Sequence, residues 1–257
     1  MYGELKNEII SLLGKGTRLD GRKPLEHRDV QVEVGVVKNA DGSARVKIGE
    51  TEVLAGITME IMKPYSDSPD VGSLMVNVEL YPMSNPEFES GPPSITAIEL
   101  ARVTDRCIRE SKMLDVKKLC VTAGEKIWMV VIDVCTINVD GNLFDAVPLA
   151  ALAALKNCVF PGYDGENVDY KNRTDKKLPL SRNPVSVTVY KYDDKLLLDP
   201  TTDEERVYDT RLTVGVLEDG NLCSMQKGGD HAISMDTLFE MIDIAVKKAE
   251  ELRKKMG

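Results

Sequence analysis

Residues 30–48 run Val30-Gln31-Val32-Glu33-Val34-Gly35-Val36-Val37-Lys38-Asn39-Ala40-Asp41-Gly42-Ser43-Ala44-Arg45-Val46-Lys47-Ile48. Valines at every second position, a turn signal at Asp41-Gly42 and a second alternating run predict an antiparallel hairpin, because the side-chain period of a strand is two. Outward from this hairpin the pattern continues. Strand-like alternation recurs at 53–59, 74–80, 119–121 and 127–139, and again at 185–190, 196–198, 212–217 and 222–225, with a turn at Asp219-Gly220. Helical spacing appears first at Leu5, Ile9, Leu12 and Leu13, giving a short helix over 3–14. Pro92-Pro93-Ser94 opens a second helix over 94–111, residues 145–157 form one with almost no polar face, and Ser234 caps a last one whose apolar stripe is Met235, Leu238, Phe239, Ile242, Ala245, Ala249 and Leu252. Strands followed by a helix, twice over, predict an α+β chain built as a duplicated unit, since one sheet and its helices bury one face each and two such units cover one another. A basic connector, 170–182, marks the internal boundary, so the expected segments are an arm at 1–28 and units at 29–180 and 181–257.

Composition narrows the function classes. With 257 residues, 42% hydrophobic and 29% charged, the chain is long enough for a sizeable core and is not a disordered polymer. The first residues lack the apolar run of a signal peptide and the arginine-rich character of a transit peptide, and no apolar stretch is long enough for a bilayer, so a cytoplasmic protein without a membrane role is expected. The five cysteines have no paired short spacing and only His27 and His231 could supply imidazole, which predicts reduced cysteines and no zinc site. A net charge of −9 excludes a protein that grips nucleic acid over its whole surface; any RNA contact is local or shared with a partner.

Few residues can carry chemistry. There is no Gly-flanked serine, no Walker loop and no dinucleotide fingerprint. Two constellations stand out. Asp199, Asp203, Glu204, Glu205 and Asp209 form an acid cluster between two strands, which could hold a divalent metal or could be a solvated loop. Arg102, Arg106 and Arg109 fall within about 60° on one side of a helix, opposite Leu100, Val103, Thr104, Cys107, Ile108 and Ser111. They form either an exposed face laced to Glu99, Asp105 and Glu110, or a track for RNA phosphates, to which the planar guanidinium is suited.

Several stretches, in this order and spacing, resemble the ribonuclease PH family: Thr17-Arg18-Leu19-Asp20-Gly21-Arg22, the helix with the three arginines, Val139-Asp140-Gly141, and Leu198-Asp199-Pro200 through Asp209-Thr210-Arg211. Through Ala97-Ile98-Glu99-Leu100-Ala101-Arg102-Val103 and Gln226-Lys227-Gly228-Gly229 the chain is most similar to the non-catalytic ring subunits of the archaeal exosome within that family. The resemblance implies an α+β fold of duplicated strand-and-helix units (two-layer, ribosomal protein S5 domain 2-like) in a hexameric ring.

The resemblance also implies a reaction, 3′-to-5′ phosphorolysis of RNA with a divalent metal, and this sequence departs from its requirements twice. Active relatives hold phosphate with a Gly-Ser/Thr-Arg loop; here it is Gly141-Asn142-Leu143-Phe144, with no Lys, Arg, Ser or Thr between Asn138 and Val147. They also carry two acids six residues apart, and here those positions are Glu205 and Arg211. A guanidinium beside a metal would repel it by on the order of 4 kcal/mol at 4 Å. The resemblance therefore implies no catalytic residues, metal or cofactor in this chain. The implied partners are a catalytic ribonuclease PH-like subunit in a trimer of heterodimers, RNA-binding cap subunits and single-stranded RNA, held by Arg102, Arg106 and Arg109. The rival expectations are a metal-dependent or phosphorolytic exoribonuclease using Asp199, Asp203, Glu205 and Asp209, and a small-molecule enzyme on the same scaffold.

Overall fold

The computed structural model of the chain describes residues 2–256; Met1 and Gly257, the outer ends of the expected arm and last unit, lie outside the described residues. Helix α1 (Tyr2–Gly14) is followed by strands β1 (Val30–Val34), β2 (Gly42–Ile48), β3 (Thr51–Met62) and β4 (Ser73–Glu79), then by helix α2 (Ile95–Glu110). Strands β5 (Cys120–Thr122) and β6 (Lys126–Asn138), helix α3 (Leu143–Asn157) and the hairpin β7 (Val159–Tyr163) and β8 (Val168–Lys177) complete the first half. The second half comprises β9 (Val185–Tyr192), β10 (Lys195–Leu198), the single-turn α4 (Thr202–Glu205), β11 (Thr210–Val216), β12 (Leu222–Gly228) and α5 (Met235–Lys255). The chain is α+β.

The opening hairpin forms as its alternation predicts, with Val30 opposite Ile48 and Val34 opposite Ala44. As the edge strand of the order β1-β2-β3-β6-β4, however, β1 leaves Val34 exposed. The second sheet is ordered β10-β9-β11-β12. Ser94 caps α2 by accepting the Ala97 N–H at 3.2 Å, and Ser111 ends it; such a cap stabilises a helix by about 1 kcal/mol.

Helix α3 lies between the sheets, against β2 and β3 on one side and β9 on the other. Every residue from Leu143 to Leu155 is buried, which explains its lack of a polar face. Helix α2 bridges β4 and β12, while α5 covers β9 and β11. The second sheet is covered on both faces. Val185, Val187 and Val189 meet the helical layer, while Tyr190, Tyr192 and Leu197 form a second core with Ile9 and Leu13 of α1 and with Val207. This double cover accounts for β11 being buried at all seven positions.

One expectation is corrected. Residues 170–182, expected as a connector, lie largely within β8, whose pairing with β7 is interrupted between Val159/Pro161 and Pro161/Gly162. Trp128 of β6 anchors this hairpin through edge-on contacts with Phe160 and Tyr163, each at 5.5 Å between ring centroids.

Candidate functional site

The acid cluster and the start of α3 come together where the two halves of the chain meet. The chain enters α3 through two consecutive left-handed residues, Gly141 (φ 76°) and Asn142 (φ 58°). At Gly141 a Cβ would come 2.4 Å from the Pro200 carbonyl oxygen, so glycine is required by space as well as by conformation. The Asn142 side chain donates to Asp199 Oδ1 at 2.7 Å, and its backbone N–H donates to Glu205. The N-terminus of α3, the kind of place that holds a phosphate in other proteins, thus has the chain's own carboxylate on it.

Arg211 closes the same spot. Its guanidinium carbon lies 3.5 Å from the Phe144 ring centroid, and Nη2 pairs with Glu99 of α2 at 2.8 Å. The side chain is almost wholly buried, and it fits because Gly228 beside it has no Cβ, which would come 2.6 Å from Arg211 Cζ. Burial pushes the Glu205 carboxyl up, against the pull of the Tyr190 hydroxyl, which donates to it at 2.7 Å, and of the Arg211 charge. The sequence departures at 141–144 and at Glu205/Arg211 are therefore one place in space. One expectation changes accordingly. The 138–147 segment has no cation of its own, but Arg28 reaches the Asp140 carbonyl at 2.7 Å and Arg211 reaches Phe144. Both are already paired with acids of this chain.

The acid cluster disperses in the same manner. Asp199 is fully buried and receives Arg28 Nη2 at 2.7 Å, Arg28 Nε at 2.9 Å and Arg22 Nη1 at 2.8 Å. Burial alone would raise its pKa, but the hydrogen bonds and charge of Arg28 outweigh this and hold it at about 2. Glu204 binds Arg18 Nε at 3.0 Å, both side chains buried, and completes a capping box with Thr201. Asp203 pairs with Arg206 at 3.0 Å, and Asp209 pairs with Lys6 of α1. Burial would raise the Asp209 pKa as well; the Asp193 N–H and Lys6 bring it below the usual carboxylate range. Among the described residues no three His, Cys, Asp or Glu side chains form a metal-holding group.

Sequence reasoning did not assign these roles to Arg18, Arg22 and Arg28. Arg18 donates to the Leu198 and Asp199 carbonyls at 2.9 and 2.8 Å, so the 17–22 loop is a clamp on the acid loop. Three arginines within eleven positions, in a chain where 42 acidic residues exceed 33 basic ones, were the available signal.

Arg102, Arg106 and Arg109 point outward, while Ala97, Leu100, Val103, Thr104, Cys107 and Ile108 are buried beneath them. They do not behave alike. Arg109 is tied to Asp105 at 2.7 Å and to the Leu74 carbonyl at 3.3 Å, whereas among the described residues Arg102 and Arg106 make no ion pair. Glu99, expected as a partner of this stripe, is held by Arg211 instead. Ile95 (87% exposed) and Ile98 (56%) continue the stripe toward the start of α2, so the exposed face joins apolar and cationic side chains at helical spacing.

Two family models match the chain: "3′ exoribonuclease family, domain 1" over residues 26–161 and "3′ exoribonuclease family, domain 2" over 183–248. Similar proteins described as "Exosome complex component Rrp42" come from Methanothermobacter thermautotrophicus (41% identical, 96% of this chain and 92% of that protein) and Methanocella arvoryzae (44%, 100% and 97%). A chain of the Archaeoglobus fulgidus exosome with RNA bound to the active site superposes with a TM-score of 0.92 at 40% identity, covering 100% of this chain and 99% of that one. A rice Rrp46 chain, at 19% identity and TM-score 0.70 over 93% of this chain and 98% of its own, shares the fold.

Proposed function

From the premise that the chain belongs to the 3′ exoribonuclease family of ribonuclease PH, we propose that it is a non-catalytic ring subunit of an archaeal-type exosome. In this reading it alternates with a catalytic ribonuclease PH-like subunit in a hexameric ring, a trimer of heterodimers carrying RNA-binding cap subunits. It shapes the partner's active site and guides single-stranded RNA toward 3′-to-5′ phosphorolysis in the cytoplasm. The full-length similarity to proteins named as exosome components, and to a chain of an exosome with RNA bound, supports the assembly.

The observation that carries the non-catalytic half is the closed start of α3. Arg211 over Phe144 and Glu205 on the Asn142 N–H occupy the space that a phosphate would need. Of the acids that might recruit a metal, Asp199, Asp203, Glu204 and Asp209 are each held by a separate cation of the chain, and Glu205 takes the Tyr190 hydroxyl. Arg211 keeps one donor, Nη1, buried without a partner, but its guanidinium is committed to Glu99 and to the Phe144 ring rather than aimed at an open phosphate site, and electrostatic stabilisation by groups so aimed is what such a transfer requires. The RNA-guiding half rests on Arg102, Arg106 and Arg109, with contacts to phosphates rather than bases and hence weak sequence preference. The units at 29–180 and 181–257, with the arm at 1–28, are proposed as its domains.

No helix among the described residues is long and apolar enough to cross a membrane. The test is phosphorolysis of single-stranded RNA with magnesium and inorganic phosphate, by this chain alone and after co-purification with a catalytic subunit. Nucleoside diphosphates are expected only from the complex. Release by the isolated chain, abolished by Asp209→Asn, would establish the active-nuclease alternative instead.

A further inference from the structure

Strand β12 carries one residue more than the stretch of β11 it faces: Gly215 pairs with Ser224 and Val216 with Leu222, leaving Cys223 as the extra residue of a bulge. A bulge re-aims the side chain it displaces. Cys223 Sγ lies 3.9 Å from the Cys107 carbonyl oxygen of α2. The Cys107 side chain, fully buried on the inner face of that helix, is within hydrogen-bond reach of the Cys223 sulfur. Gly215 makes the room, since a Cβ there would come 2.8 Å from Cys223 Sγ and 3.4 Å from Cys107 Sγ. Two thiols 116 positions apart in sequence therefore lie side by side above a glycine.

We propose that Cys107 and Cys223 are a peroxide-reactive dithiol whose closure to a disulfide fastens α2 to β12. The two sulfurs have different surroundings, and these divide the chemistry. Cys223 is partly exposed, and the hydrogen bond from Cys107 holds its thiol below the usual range despite partial burial. It is the sulfur a peroxide can reach, and the one with thiolate character to attack with. Cys107 has its thiol pushed well up, by the same hydrogen bond and by burial, so it waits as the protonated partner.

In the first step the Cys223 thiolate attacks one peroxide oxygen. An S–O bond forms, the O–O bond breaks, and the departing hydroxide takes up the proton that the Cys223 thiol had released to solvent, leaving as water; Cys223 becomes a sulfenic acid. In the second the Cys107 sulfur attacks the sulfenic sulfur, an S–S bond forms, and the hydroxyl leaves as water with the Cys107 proton. Each disulfide consumes one hydrogen peroxide, which takes up the two electrons of the thiols. Of the other cysteines, Cys158 has its thiol pushed up to about 12 by burial, which makes it inert by the same logic. This inference stands independently of the RNA role.

The experiment treats the full-length chain with hydrogen peroxide, blocks remaining thiols with an alkylating reagent after denaturation, and maps the peptides by mass spectrometry. The expected result is the loss of two of the five alkylatable thiols. The Cys107 and Cys223 peptides should be joined with two hydrogens missing, and dithiothreitol should separate them. Cys223→Ser should retain an alkylatable Cys107 and show no link. Cys107→Ala should leave a Cys223 sulfenic acid that dimedone traps. Should Cys107→Ala fail to fold, the wild-type map and Cys223→Ser decide the matter. Peroxide-treated wild type with Cys107 still fully alkylatable, or with Cys223 linked to another cysteine, overturns the proposal.

Discussion

Arg211 of β11 sits with its guanidinium carbon 3.5 Å from the centroid of the Phe144 ring, in the first turn of α3. This one contact links the two halves of the chain, and Glu99 of α2 completes it from a third element. Removing one member of a buried ion pair strands the other, here the Glu99 carboxylate as an acceptor without its donor, a change that costs about 3–5 kcal/mol. The Arg211 side chain is 3% exposed while Glu99 is 23% exposed, so partial solvation of Glu99 brings the expectation down to about 3 kcal/mol for Arg211→Ala. Urea unfolding of the purified chain measures it; a loss under 1 kcal/mol would mean that the stack is incidental.

Acid should unfold the chain partly through Asp199. Its folded pKa of about 2 lies below the ordinary aspartate value of 3.8, so the stability it contributes is fully present above pH 4 and is lost as pH falls toward 2. The size is on the order of 2 kcal/mol. Asp199→Asn should flatten the stability-against-pH curve over that window while lowering stability at neutral pH, where Arg28 loses its partner. An unchanged slope below pH 4 would assign acid sensitivity to other carboxylates.

Within the arginine stripe the effects on RNA should be unequal. Arg102→Glu in the assembled ring should weaken RNA binding and reduce the slope of log affinity against log salt by roughly 0.7 for the lost phosphate contact. Arg109→Ala should do less, since Asp105 already neutralises that guanidinium. Filter binding across a salt series separates the two, and equal, null effects would reduce the stripe to an exposed helix face.

Gly141→Ala places a Cβ against the Pro200 carbonyl and forces a left-handed φ on a residue that disfavours it. Strain of this kind costs about 1–3 kcal/mol before the collision is counted. A lowered thermal midpoint with unchanged α-helical circular dichroism at low temperature is the expected signature.

Local features were legible in the sequence wherever a short-range period or cap produced them. Ser94 and Ser111 bound α2 within a residue of the expected span, and the arginines face outward as their spacing requires. The β7–β8 hairpin was not legible, because Pro161 and Gly162 interrupt its first strand and all but one residue of its second is exposed, so no alternation survives. Nor could the pairing of Arg18, Arg22 and Arg28 with the acid loop be read from the chain. Ion pairs spanning more than 170 positions leave no periodic trace. The acid cluster was visible as composition, but whether its members converge or scatter is decided by which cations the fold brings to each.

Helix α3 has a further consequence for exchanging parts between relatives. Because both sheets pack on it, each half of the chain supplies part of the other's interior. A hybrid that joins the first half of this chain to the second half of a relative would set against α3 a β9 face shaped for a different helix. Recombination at the midpoint should therefore yield insoluble protein, whereas exchange of the whole chain preserves every contact within it, so the working unit of inheritance here is the entire subunit.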